Sequence, residues 1–250
     1  MRNLTLVLLT IVLLWGCIDS KKGTTLRIAA AANMQFAMDS IAGLFHEQYR
    51  INCEVSSNSS GMLTAQIEKG APYDVFVSAD IRYPKRLVEN GFGSSPEVYA
   101  YGSLVFVYSK KLQYNSVEEA LNSDIIKRVA IADKRTAPYG LAAMEYLERS
   151  NQYQEHISKI VFGESVGQVN QYLKTKSVDA IFTSASFKSK CREDYKYLDI
   201  DPKYFSEIKQ GMLLLKHGEE QHPEESALFM NYLKTEHCQN ILKHFGYLVK

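Results

Sequence analysis

The chain lacks most of what marks a protein built around reactive groups or bulk charge. Its 4 cysteines, Cys17, Cys53, Cys191 and Cys238, are too few and too scattered for a disulfide framework. Charge is balanced: 29 Lys and Arg against 28 Asp and Glu leave a formal net charge of +1. No basic stripe gathers on any segment, which argues against a nucleic-acid surface. After one apolar run near Met1 there is no second, so nothing in the body of the chain reads as a membrane span. A Gly-x-Ser-x-Gly elbow, a P-loop and a dinucleotide fingerprint are all missing. The histidines, at 46, 156, 217, 222, 237 and 244, show no zinc-ligand spacing and read as solvated side chains. Asp74 and Asp80 flank a short apolar run and read as capping and structural groups, not as an acid–base pair. No catalytic residues, no resident metal and no cofactor are therefore expected.

What is present begins with Arg2 and the apolar run Leu4 to Leu14. The run is too short to span a bilayer and has the form of a signal-peptide core. It ends Leu14-Trp15-Gly16-Cys17, which resembles a bacterial lipobox, with Trp15 bulkier than the small residue usual there. The expectation is a signal over residues 1–17 with lipidation of Cys17. Polar residues 18–25 would be a tether. The membrane would then be touched only through the lipid.

From Leu26 onward, short apolar runs alternate with amphipathic stretches. Expected strands are Leu26 to Ile28, Ile51 to Val55, Asp74 to Ser78, Tyr101 to Tyr108, Val129 to Ala132, Ile160 to Phe162, Ala180 to Phe182, Leu198 to Ile200 and Gly211 to Leu215. Between them lie helical patterns such as Phe36, Ala37, Ile41, Leu44 and Phe45. Ser116 with Glu119, and Ser165 with Gln168, have capping-box spacing. Strands alternating with helices predict an α/β fold with mostly parallel sheets flanked by helices.

The junctions share a chemistry. Ala29-Ala30-Ala31-Ala32-Asn33 runs from a strand into a helix, with Asn33 where an N-cap belongs. Ser56-Ser57-Asn58-Ser59-Ser60-Gly61 does the same before a helix over Met62 to Lys69. Small residues leave backbone N–H groups unshielded at the positive end of each helix, and no lysine or arginine sits immediately beside them. Such junctions suit a small anion held by neutral donors.

The motifs then resemble a known family, the periplasmic molybdate-binding proteins of ABC importers. The resemblance rests on Ala30-Ala31-Ala32-Asn33, Ser59-Ser60-Gly61, Gln66-Ile67-Glu68-Lys69-Gly70-Ala71-Pro72 with Asp74, Phe76-Val77-Ser78-Ala79-Asp80, Pro138 with Gly140, Glu164 with Val166, and Phe245-Gly246-Tyr247. It covers about Leu26 to Lys250. The resemblance implies a two-lobed type II periplasmic-binding-protein fold with a two-segment hinge, residues 26–103 and 212–250 forming one lobe and 104–211 the other. The chain would cross near Tyr101 to Leu104 and return near Gln210 to Leu215. It further implies a monomer that takes molybdate or tungstate as ligand and works with an importer's permease and cytoplasmic ATPase. By the same resemblance the oxyanion would be bound by the Asn33 amide, the Ser60 hydroxyl, the backbone N–H groups of Tyr139 and Val166, and Thr183, which stands where the family commonly has a tyrosine. The rivals are a preference for tungstate, sulfate or phosphate and, from another class, a lipid-anchored enzyme on the same fold.

Overall fold

A computed structural model describes residues 24–191 and 194–249. The apolar run, Cys17 and nearly all of the tether lie outside the described residues. The chain opens with β1 (Thr25–Ala31), a 3₁₀ turn (Ala32–Met34) and α1 (Gln35–Tyr49), then β2 (Asn52–Asn58), α2 (Ser60–Glu68), β3 (Val75–Ser78), α3 (Arg82–Glu89) and β4 (Gly93–Gly102). A second group follows: β5 (Leu104–Ser109), α4 (Val117–Asn122), β6 (Val129–Ala132), α5 (Pro138–Arg149), α6 (Tyr153–His156), β7 (Ile160–Gly163), α7 (Val166–Lys174), β8 (Ala180–Ser184) and β9 (Tyr195–Asp199). The chain then returns through β10 (Ile208–Leu215) to α8 (Lys216–Gln221), α9 (Pro223–Leu233) and α10 (Glu236–His244).

These strands make two sheets of the same design, ordered β2-β1-β3-β10-β4 and β7-β6-β8-β5-β9. In the first, β1 pairs parallel with β2 and β3, while β10 is antiparallel to β3 and β4. In the second, β6 is parallel to β7 and β8, and β5 is antiparallel to β8 and β9. The sheets are thus mixed, where the alternation of elements predicts mostly parallel ones. One strand in each sheet is reversed, β10 in the first and β5 in the second, and each comes directly after a crossing between the sheets.

Burial explains which strands sit centrally. β3 is buried at every residue, and β1 is buried from Ile28 to Ala31, as a strand covered on both faces requires. On one face Met34, Phe45, Phe229 and Leu242 pack together, with Phe45 and Phe229 meeting edge to face at 5.1 Å. On the other, Leu63, Ile67 and Leu87 pack against Phe76 and Leu213. The second sheet has its own core, in which Phe106, Tyr146, Leu147, Phe182, Val169 and Leu173 are buried.

The serine caps form as their spacing predicts. Ser116 Oγ accepts the Glu119 N–H at 3.0 Å, and Ser165 Oγ accepts the Gln168 N–H at 3.3 Å. The return bonds land one residue earlier than a standard box. The Glu119 carboxylate takes the Asn115 N–H at 2.7 Å, and the Gln168 side-chain oxygen takes the Glu164 N–H at 2.6 Å.

Three boundaries differ from expectation. The run Tyr101 to Tyr108 is two strands in different sheets, broken at Ser103. β4 goes unrecognised in the sequence because Gly93-Ser94-Ser95-Pro96 looks like a loop; Pro96 is tolerated because β4 is an edge strand. β10 begins at Ile208, so the first sheet takes the chain back before residue 212. Ile208, Lys209 and Gln210 alternate buried and exposed, a weaker pattern than the apolar Met212 to Leu215.

Gly140 shows how tightly the site's scaffold is set. A Cβ there would overlap the Ala132 carbonyl at the end of β6. Gly140→Ala is expected to push the start of α5 off the sheet and destabilise the protein by about 1–3 kcal/mol or more, read as a lowered midpoint in urea unfolding.

Candidate functional site

Four chain turns meet where the two sheets face each other. They are the 3₁₀ turn after β1 and the first turns of α2, α5 and α7. Ala31, Ala32, Asn33, Ser59, Ser60, Ala79, Ala137, Pro138, Tyr139 and Val166 line a small space between them. Every wall residue is uncharged. The alanines make this possible, since a larger side chain would fill the space and cover the backbone.

Each turn presents the same kind of group. Asn33 is the second residue of the 3₁₀ turn, Ser60 and Val166 open their helices, and Tyr139 follows the N1 proline of α5. N–H groups at these positions have no partner within the helix, and the dipoles of the three α-helices place their positive ends there. Ser60 adds its hydroxyl. Its Oγ accepts the Ala79 N–H at 3.0 Å, which fixes the side chain and leaves its proton free to point inward. Ser59 Oγ is buried with no hydrogen-bond partner among the described residues, a second hydroxyl in the same wall.

The lobes touch across this space. The Gly61 N–H, next to Ser60, donates to the Thr136 carbonyl at 2.8 Å. Below it lies a buried neutral network. Asn33 Nδ2 donates to Gln210 Oε1 at 2.9 Å and to the Tyr247 hydroxyl at 2.8 Å. The Asn33 carbonyl accepts from the Tyr247 hydroxyl and from Ser186 Oγ, both at 2.8 Å. Gln210 Nε2 donates to the Ala79 carbonyl at 3.2 Å. Tyr139 drives its ring into the same region and leaves its hydroxyl without a well-aligned partner. Burial holds the phenols of Tyr99, Tyr139 and Tyr247 above their ordinary range, so all three stay neutral. A Cβ at Gly102, where the chain leaves the first sheet, would collide with the Tyr139 hydroxyl.

The structure brings Asn33, Ser60, Tyr139 and Val166 together and leaves Thr183 out. Thr183 Oγ1 donates to Asn170 Oδ1 at 2.7 Å and has no exposed surface. Alternation along β8 turns it toward α7 and away from the cleft. Ser184 does not replace it, because its Oγ pairs with Ser186 Oγ at 2.6 Å. Asn33 is also not an N-cap. Ala31 holds that position, and the Asn33 amide protons are spent on Gln210 and Tyr247, so the side chain keeps no donor for a ligand. Sequence reasoning missed Ser59, although it belongs to the same serine cluster, and missed the Gln210–Tyr247 support, which joins residues far apart in the chain. Cys53, Cys191 and Cys238 are free thiols; burial pushes Cys53 and Cys191 up to about 12, leaving them unreactive.

Two mixed α/β lobes meeting at a small uncharged pocket define a protein of the two-lobed solute-binding class. The chain belongs to the bacterial extracellular solute-binding protein family, whose model matches residues 26–248. It is 31% identical to the molybdate-binding protein ModA of Rhodobacter capsulatus over 89% of this chain and 87% of that one. The solved periplasmic molybdate-binding protein of Azotobacter vinelandii superposes with a TM-score of 0.83 at 28% identity, covering 90% of this chain and 99% of that one. The sulfate-binding protein SubI of Mycobacterium tuberculosis, at 15% identity and a TM-score of 0.73 over 90% and 86% of the two chains, shares the fold.

The interlobe contact can be tested directly. A Cβ on Gly61 would lie 2.8 Å from the Thr136 Cα, so Gly61→Ala should wedge the lobes apart. The expected result is a larger radius of gyration in X-ray scattering with the unfolding midpoint nearly unchanged.

Proposed function

We propose that this chain captures molybdate, and tungstate with it, outside the cytoplasm and delivers it to the permease of an ABC importer driven by a cytoplasmic ATPase. Lipidation of Cys17 would keep it at the membrane surface. The observation that carries the reading is the meeting of Asn33, Ser60, Tyr139 and Val166, each at the start of a helical turn, on one small uncharged pocket. Its relatives' molybdate binding supports the choice of anion.

The chemistry follows from the donors. A dianion here takes several charge-assisted hydrogen bonds and meets the positive ends of three helices, without a cation to grip it. Its charge stays spread over the lobes, and opening the hinge releases it. Ser59 Oγ takes the place that Thr183 does not fill, as a further hydroxyl to the anion. No carboxylate lies in the wall, so the proton of hydrogen phosphate finds no charged acceptor there. Sulfate is smaller than molybdate at the same charge. In a pocket sized for the larger ion it would lose contact with at least one donor. One such bond, about 1.5–3 kcal/mol, is worth at least about a factor of ten.

Thermal unfolding with each anion tests this. Molybdate or tungstate at about 100 times its dissociation constant should stabilise the protein by about 2.7 kcal/mol, and sulfate at the same concentration far less. Equal shifts with sulfate would sink the reading. Ser60→Ala should weaken molybdate binding at least about tenfold in calorimetry.

The pocket also sets the pH dependence. Tyr139 is its only titratable wall residue, and burial raises that phenol well above its ordinary value. Molybdate affinity should therefore stay flat between about pH 6 and about pH 9. A drop across neutral pH, seen by titration at several pH values, would mean that a histidine takes part.

A further inference from the structure

At the far end of β3 from the pocket, three side chains from distant parts of the chain meet at one point. Asp74 immediately precedes β3 and is fully buried. Its Oδ2 accepts the Arg27 N–H at 2.7 Å. Its Oδ1 faces two imidazoles, His217 Nδ1 at 2.9 Å and His222 Nδ1 at 3.0 Å. The fold produces this meeting. β10 runs antiparallel beside β3, and the Leu215 N–H donates to the Asp74 carbonyl at 2.9 Å. The next residues enter α8, whose short turn returns His222 beside His217 before Pro223 opens α9. Gly218 lets α8 press on the strand end: a Cβ there would lie 2.5 Å from the Asp74 carbonyl and 2.9 Å from Ser226 Oγ. That hydroxyl is buried and has no partner within the protein.

We infer that Asp74, His217 and His222 form a binding site for a divalent first-row transition ion of the zinc class, separate from the anion pocket. Three ligand atoms, two imidazole nitrogens and a carboxylate oxygen, lie within 4.8 Å of one another. Ligands held about 2.0–2.1 Å from one zinc ion stand about 2.9–3.4 Å apart at tetrahedral to octahedral angles. The two nitrogen-to-oxygen separations already match, and a small rotation of the rings brings the nitrogens closer to each other. The His217 and His222 side chains are 32% and 31% exposed. Water can therefore fill the open positions, and each ring can give its Nδ1 proton to solvent, or shift it to Nε2, as the ion takes the Nδ1 lone pair. The Arg27 N–H orients the carboxylate from behind, as outer-shell partners of metal ligands do. Two imidazoles and one carboxylate favour zinc, cobalt or nickel over magnesium or calcium, which take mainly oxygen. Without the ion the same groups satisfy one another by hydrogen bonds, so the lobe folds either way. The site lies about 16 Å from Ala79 along β3, by strand rise, and acts as a staple on the first lobe, not as part of the cleft.

The test is a titration of the untagged mature protein with cobalt(II), after chelation and without molybdate. One equivalent of cobalt should give visible d–d absorption that zinc displaces. The His217→Gln and His222→Gln variants should each weaken cobalt binding at least tenfold, and the double variant should lose the band. His46→Gln and His237→Gln should retain it. The anion-induced thermal shift of the double variant should equal that of the parent protein, which shows that the fold survives. Absence of the band in the parent protein, or an equal band in the double variant, would overturn the site. Because cobalt binding is read without molybdate, its failure and failure of the anion reading are separate results.

Discussion

The amide of Asn33 holds the two halves of the binding apparatus in register. Its two protons go to Gln210 on the returning strand and to Tyr247 near the chain's end, and the backbone carbonyl of the same residue takes Ser186 from the opposite lobe. One buried residue thus ties the 3₁₀ turn after β1 to the returning strand, the C-terminal segment and the second lobe. Every member of the network is neutral, which spares the interior the cost of burying charge. Its hydrogen bonds are nearly all made, as a buried polar network must have them. The pocket depends on this arrangement because backbone donors cannot reorient by themselves. They point correctly only if the turns that carry them are fixed.

In the proposed function that rigidity would also be the source of selectivity. Lysine or arginine would follow a smaller anion inward on a flexible stem, whereas an N–H at a helix start stays in place. The alanine walls add to this by bringing the backbone itself to the ligand. In the proposed function the same neutrality would remove any proton-linked signal from the site and leave capture and release to the movement of the lobes.

Much of this was legible along the chain. The alternation of strands and helices gives the α/β class, the two serine caps form at their expected residues, and the small-residue junctions after β1 and before α2 mark two of the four pocket turns. The pieces that were not legible are those fixed by tertiary contact. Asn33 reads as a cap because of its residue type, yet Gln210 and Tyr247 claim its amide from far along the chain. Thr183 occupies the motif position of a family tyrosine, but the alternation of β8 and the presence of Asn170 decide where a side chain that short points. His217 and His222, five residues apart, carry no spacing signal; only the antiparallel pairing of β10 with β3 sets them on Asp74. β4 is hidden because an edge strand tolerates the proline and glycines that usually announce a loop.

The position of β10 has a further consequence, for how the molecule comes into being. The second lobe, from β5 to β9, is one continuous stretch, and its contacts can form as soon as that stretch is made. The first lobe is split. β10 lies between β3 and β4, so β4 has no neighbour in its own sheet until the whole second lobe has been synthesised. Loop closure over such a separation is slow. The later-made lobe is therefore the one able to finish first, and the lobe bearing Asn33 and Ser60 is completed only by the chain's last quarter. A stop codon or proteolytic cut before β10 would leave an intact second lobe beside a first lobe with an open sheet edge, a species prone to pair with other chains.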